Sequence, residues 1–132
     1  MLLDTHVALF AIAGEARIGE LSMSALMDPA SIVYVSAASV WEVAIKNQKS
    51  PLAMPVTAPE FSRHCQDAGY LDLPVRKKHA EALYDIGEAP AWHKDPFDRI
   101  LMAQALSEGM KLLTMDDKIL HYGLDIALDA RS

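Results

Sequence analysis

The sequence predicts an α/β domain: a mainly parallel central sheet of four or five strands, with helices on both faces. Two observations carry this. Short apolar or β-branched runs alternate with helical segments along the whole chain, as in repeated βαβ units. Connections of that kind join parallel strands, and parallel sheets are covered on both sides. The 132 residues, 52% of them hydrophobic, are enough to bury one core, and no linker, repeat or low-complexity tract divides them. One domain over residues 1–132 is therefore expected.

"MLLD" reads as a short buried strand ending at Asp4, and "THVALFAIA" as a helix capped by Asp4 or Thr5. "LSMSALMDP" is a second helix, stopped near Pro29. "SIVYVS" is β-branched and aromatic, hence a strand. "AASVWEVAIKNQK" is helical up to Pro51. "APEFSRHCQDA" is a helix with Gly69 as its stop, "YLDLPV" a brief strand, and "RKKHAEALYDI" a helix ending at Gly87. After the loop "GEAPAWHK" come the helix "PFDRILMAQALSEG", the strand "KLLTM", a helical turn "DDKILHYG" and a last strand "LDIAL".

Composition narrows the function. A single cysteine, Cys65, excludes an internal disulfide and a cysteine-rich zinc site, and fits a reducing cytoplasm. The apolar start lacks a basic leader and is interrupted by Asp4 and His6, so it does not read as an export signal. "SIVYVSAASVW" is too short to span a bilayer. A net charge of −6 argues against holding nucleic acid by bulk electrostatics, unless the acids are gathered in one site that a metal neutralises. The basic groups at "VRKKHA", Lys94, Arg99 and Lys111 are local, and "RKK" reads as a solvated helix start.

Acidic residues inside and beside buried-looking runs then need explaining. Asp95 before Pro96 is a preferred pairing of N-cap and first-turn proline, so it caps the helix or, alternatively, touches a metal. Asp98 is different. It shares the stripe of Leu101, Met102 and Ala105, with Leu106 beside it, while Gln104, Ser107 and Glu108 mark the opposite, polar face. The helix dipole offers an acid there about 0.3–1 kcal/mol, up to ~2 when partly buried. A dry, unpaired carboxylate costs several kcal/mol. Asp98 therefore needs a basic side chain, several backbone N–H groups, or a cation.

Asp4 and Asp116 each follow a predicted strand where a cap is needed, and Glu42 precedes Lys46 by four residues, a favourable helical pair. Each has an ordinary explanation alone. Together, Asp4 and Asp116 end parallel strands on the same sheet edge, where α/β proteins bind ligands, and Asp98 begins a helix running back from that edge. Glu42 lies in the helix after "IVYVS". Two carboxylates ~5 Å apart repel by roughly 3 kcal/mol at an effective dielectric of 20. Four such groups in one crevice call for protonation or a divalent cation, and oxygen ligands suit Mg²⁺ or Mn²⁺.

The pieces "LLDTHVALF", "VSAASVWEVAIK", "HKDPFDRILMAQALSEG" and "KLLTMDD", in this order and spacing, resemble a PIN domain, and more closely the VapC-type toxins of toxin–antitoxin pairs. The resemblance implies a PIN-like three-layer α/β/α fold and a Mg²⁺- or Mn²⁺-dependent endoribonuclease. Its acidic site falls on Asp4, Glu42, Asp98 and Asp116, as metal ligands directly or through water, with Glu42 alternatively orienting the water. Thr114 becomes a neighbour of the metal, and Asp95 and Asp117 flank motif positions. Lys46 and Arg99 contact phosphate or balance the acids, or else form ordinary salt bridges. His6 and His93 lack metal-ligand spacing and read as packing or loop residues. The family also implies an RNA substrate, a homodimer, and a cognate antitoxin laid in an apolar groove such as "THVALFAIA" and "LSMSALM" offer. Two rivals remain: a catalytically inactive PIN-like binding module, and a phosphatase of the haloacid dehalogenase type. The latter needs a second acid where His6 stands.

Overall fold

The computed structural model describes all 132 residues. Five strands form one sheet: β1 (Leu2–Leu3), β2 (Tyr34–Ser36), β3 (Leu71–Leu73), β4 (Leu112–Thr114) and β5 (Ala127–Asp129). Their order is β3-β2-β1-β4-β5, and every pairing is parallel. Eight helices connect and cover them: α1 (Thr5–Ala13), α2 (Glu20–Met27), α3 (Ala37–Lys49), α4 (Ala58–Asp67), α5 (Lys77–Glu81), α6 (Leu83–Ile86), α7 (Pro96–Glu108) and α8 (Asp117–His121).

Strand alternation divides the core into two layers. Leu3, Val35 and Leu113 pack on one face with Val7, Val43 and Phe61 of α1, α3 and α4. Leu2 and Leu112 pack on the other with Leu101, Met102, Ala105 and Ile119 of α7 and α8. Successive side chains of a strand point to opposite faces, so a two-residue strand such as Leu2–Leu3 serves both cores. This is the expected three-layer arrangement, with five strands.

Local departures from expectation have physical causes. The segment 76–86 is two short helices, because the ladder tightens at Ala82, whose carbonyl accepts the amide of Asp85 three residues on. The last strand lies at 127–129 and not at 124–128, since Lys111 ties down the backbone and side chain of Asp125 ahead of it. The polar face expected for α7 is only partly polar: Gln104 is fully buried, donating to the Pro74 carbonyl, while Leu106 is exposed. Helix α7 is covered by α5 and α6 on one side and by the sheet on the other, so a stripe read from one buried face underestimates its burial. No helix is long and apolar enough to cross a membrane.

What matters for function is one edge. After β1 the chain runs to one side of the sheet, through β2 and β3; β4 then pairs on the other side of β1. All carboxyl ends point the same way, and the winding direction switches between β1 and its neighbours, the place where open α/β sheets leave a crevice outside the strand ends.

Candidate functional site

Asp4 directly follows β1, and Thr114 ends the neighbouring β4. The Asp4 amide donates to the Leu113 carbonyl at 3.0 Å, which extends the ladder to the crevice. Although Asp4 occupies the N-cap position of α1, its side chain caps nothing. It is buried and accepts a 2.7 Å hydrogen bond from the Thr114 hydroxyl. The same hydroxyl oxygen accepts the Asp116 amide at 3.0 Å, so a fully buried threonine couples two acids 112 positions apart (116 − 4). Asp116 also caps α8, accepting from the Lys118 amide.

Glu42 sits in the second turn of α3, which Ser36 caps at the end of β2. It is almost fully buried. One oxygen accepts from Thr5 at 2.7 Å and the other from Lys46 at 2.5 Å, the expected i,i+4 pair. Burial works against the Lys46 charge. The bond to Glu42 and the fields of Asp95 and Asp98 outweigh it and hold the ammonium above its ordinary pKa.

Asp98 stands in the first turn of α7, three residues after its cap. Asp95 performs that capping, accepting the amides of Phe97 at 2.9 Å and Asp98 at 3.3 Å. Burial, and then the negative fields of Asp4, Asp95, Asp116 and Glu42, push Asp98 up to about 8. Burial likewise raises Asp4, opposed by the Thr114 hydrogen bond and reinforced by Glu42 and Asp116. Asp4, Glu42, Asp98 and Asp116 thus act on one another across a single crevice.

The partner that Asp98 requires is His93. Its Nε2 lies 2.8 Å from Asp98 Oδ2, and ligand atoms of His93, Asp98 and Asp116 all fall within 4.8 Å of one another. His93 is a packed loop residue, as expected, and what its spacing did not reveal is the hydrogen bond to Asp98. The His-X-X-X-X-Asp spacing hides the contact, because the two residues lie on either side of the Asp95 cap, one in the loop and one in α7. A histidine in the loop just before a helix that carries an inward acid is the signal that was available. Tyr122, 2.7 Å from His93 Nδ1, left no signal in the sequence. His6 is exposed and only shades the charge of Asp4.

Other candidates lie elsewhere or serve structure. Asp117 is exposed and pairs with Arg131 at 2.7 Å, away from the cluster. Arg99 makes no ion pair; it is buried and donates to the Gly87 carbonyl and to the Tyr122 hydroxyl. In the "RKK" run, Lys78 pairs with Glu108, and fully buried His79 takes the Arg76 amide. Exposed Trp41 meets Phe97 edge-on at 5.1 Å, each adjacent in sequence to one of the clustered acids, Glu42 and Asp98.

Chemically, this donor set fits a hard divalent cation. Its carboxylates come from two strand ends, Asp4 and Asp116, and from two helices, Glu42 of α3 and Asp98 of α7; Asp4 and Asp98 have pKa values displaced upward, and Lys46 is the ammonium bonded to the group. Bound cations of this kind bring clustered carboxylates back to their ionised form.

Comparison with known proteins agrees with the fold. The chain is similar in structure to a toxin–antitoxin complex from Klebsiella pneumoniae, with TM-score 0.62, 17% identity, and coverage of 98% of this chain and 96% of that one. It is also similar to VapBC2 from Rickettsia felis bound to a promoter DNA fragment, with TM-score 0.63, 13% identity and 96% coverage of both chains. No curated protein matches the sequence. The PIN domain family model matches residues 1–124, nearly the whole sheet and the entire acidic crevice, and this chain therefore belongs to the PIN-domain family.

Proposed function

We propose that this protein is an endoribonuclease that depends on Mg²⁺ or Mn²⁺, the VapC-type toxin of a toxin–antitoxin pair. The observation that carries the reading is the convergence of Asp4, Glu42, Asp98 and Asp116 on one crevice, with Asp98 pushed up to about 8 by burial and by the other acids. Asp4, Asp98 and Asp116 hold the cation, with Glu42 beside them. When bound, the cation offsets charge developing on a phosphodiester and acidifies water.

The chain's own residues set the rest. Thr114 orients Asp4 through its hydroxyl and holds the backbone of Asp116. Lys46 and Thr5 fix both oxygens of Glu42, which orients the attacking water and accepts its proton. Asp95 caps α7 by accepting the amides of Phe97 and Asp98, and shares with Pro96 the holding of the turn that carries Asp98. Trp41 and Phe97 offer an aromatic rim on which an unpaired base stacks, which favours single-stranded RNA.

An antitoxin is expected along α2, where Leu21 and Met27 are 76% and 75% exposed. A cleft of about 580 Å³, lined among others by Ala11, Met23, Leu26 and Tyr70, joins α2 to α1 without involving the acids. We also propose a cytoplasmic homodimer that brings two acidic crevices to one RNA. The test is incubation of purified protein with structured RNA and Mg²⁺. Wild type cleaves, and Asp98→Asn loses at least ~100-fold in rate, the scale of removing a charge-positioning group. Absence of cleavage by both proteins would leave the binding-module reading in its place.

A further inference from the structure

We infer that His93 is a positioning residue for Asp98, not a ligand to the cation, and that a relay from Arg99 through Tyr122 sets its tautomer. The inference rests on the reading of the acidic crevice as a divalent-cation site.

The chain of contacts is short and directional. Arg99 Nη2 donates to the Gly87 carbonyl, and Nη1 lies 3.1 Å from the Tyr122 hydroxyl. A guanidinium has donors only, so the phenol oxygen accepts in that bond. The phenol proton is left for the other partner, His93 Nδ1, at 2.7 Å. An imidazole that accepts at Nδ1 carries its proton on Nε2, and Nε2 is the atom 2.8 Å from Asp98 Oδ2. With the cation bound Asp98 is ionised, and the reverse order would set an Nε2 lone pair against a lone pair of that carboxylate. Donation thus runs from Arg99 to Tyr122 to His93 to Asp98.

Packing holds the ring in that pose. Trp92 stacks over His93 at 6.0 Å and 17°, Tyr122 meets it edge-on at 5.3 Å, and only 2% of the residue is exposed.

Two consequences follow for the site. With its Nε2 lone pair absent, His93 supplies no nitrogen to the cation, although it lies within 4.8 Å of the carboxylates. The ligand set is then oxygen only, which favours Mg²⁺ and Mn²⁺ over Zn²⁺. With Oδ2 held by His93, Asp98 presents Oδ1 to the cation in a single orientation. Outer partners of this kind orient a ligand and typically change metal affinity about 10–100-fold when removed.

The experiment combines nitrogen NMR with calorimetry. In ¹⁵N-labelled protein saturated with Mg²⁺, two-bond ¹H–¹⁵N correlations of His93 are expected to report a proton on Nε2. Calorimetric titration of Mn²⁺ is expected to give an affinity roughly 10–100-fold weaker for His93→Leu, and within about threefold of wild type for His93→Gln, whose amide restores a donor. Tyr122→Phe spares the core and is expected to weaken Mn²⁺ binding several-fold. It carries the test where His93→Leu fails to fold. An unprotonated Nε2 in the Mg²⁺ form, a His93→Gln as weak as His93→Leu, or an unchanged Tyr122→Phe overturns the inference. Wild type that binds no Mn²⁺ overturns this inference and the cation site together. Mn²⁺ binding with Nε2 protonated but no RNA cleavage overturns the nuclease reading alone.

Discussion

At the scale of single residues, Asp98 concentrates the physics of the site. An isolated aspartate has a pKa near 3.8, and here burial and neighbouring acids push it up to about 8. Between those values the folded protein retains a proton that the unfolded chain has released. Its contribution to stability is complete below about pH 3.8 and is lost as pH rises toward 8. Asp98→Asn removes that dependence. In metal-free protein the variant should melt higher than wild type at pH 8.5, by roughly 3–5 °C for each ~1 kcal/mol recovered. The difference should shrink toward pH 5. Melting curves across that range check it, and a variant that is less stable at pH 8.5 would show that Asp98 is already well paired there.

At the scale of elements, helix starts and strand ends aim the acids. Asp95 illustrates how two roles are told apart. Its side chain accepts two amides of α7, so Asp95→Ala removes a cap worth about 1 kcal/mol, in a range of about 0.5–2. The expected result is a melting temperature lower by roughly 3–5 °C, with Mn²⁺ affinity held within about threefold because the first turn is also locked by Pro96. An unchanged melting temperature with a large loss of Mn²⁺ affinity would instead make Asp95 a ligand. Asp116 caps α8 with its side chain while its backbone hangs from Thr114. The side chain of Asp4 leaves α1 uncapped. Position in sequence is the same for both; hydrogen bonding separates them.

At the scale of the molecule, an acidic chain of net charge −6 gathers several carboxylates outside one sheet edge. That crowding opposes folding of the metal-free protein, and a cation that binds only the folded state should reverse it. At a free Mn²⁺ concentration 100-fold above Kd, mass action adds about 2.7 kcal/mol. A rise of several degrees in melting temperature is therefore expected on adding Mn²⁺, abolished by chelator and absent in Asp4→Ala. Equal gains in wild type and Asp4→Ala would point to ordinary charge screening.

Fold class, and the placing of Asp4 and Asp116 at one sheet edge, were both legible from residue order. Runs such as "IVYVS" and "KLLTM" between amphipathic segments predict parallel strands. Once strands are parallel, Asp4 and Asp116 must share an edge, whatever the details of packing. That inference needs only chain direction and periodicity, which local sequence carries. Tertiary structure alone decided the partners of those acids: His93 for Asp98, Thr114 for Asp4, Thr5 for Glu42, and Tyr122 and Arg99 behind His93. It also decided that Gln104 is buried and that Asp117 turns away to Arg131. The reason is physical. Hydrophobic periodicity records which face of an element is buried, whereas hydrogen bonds between distant side chains depend on ångström-scale placement that emerges only when the elements pack.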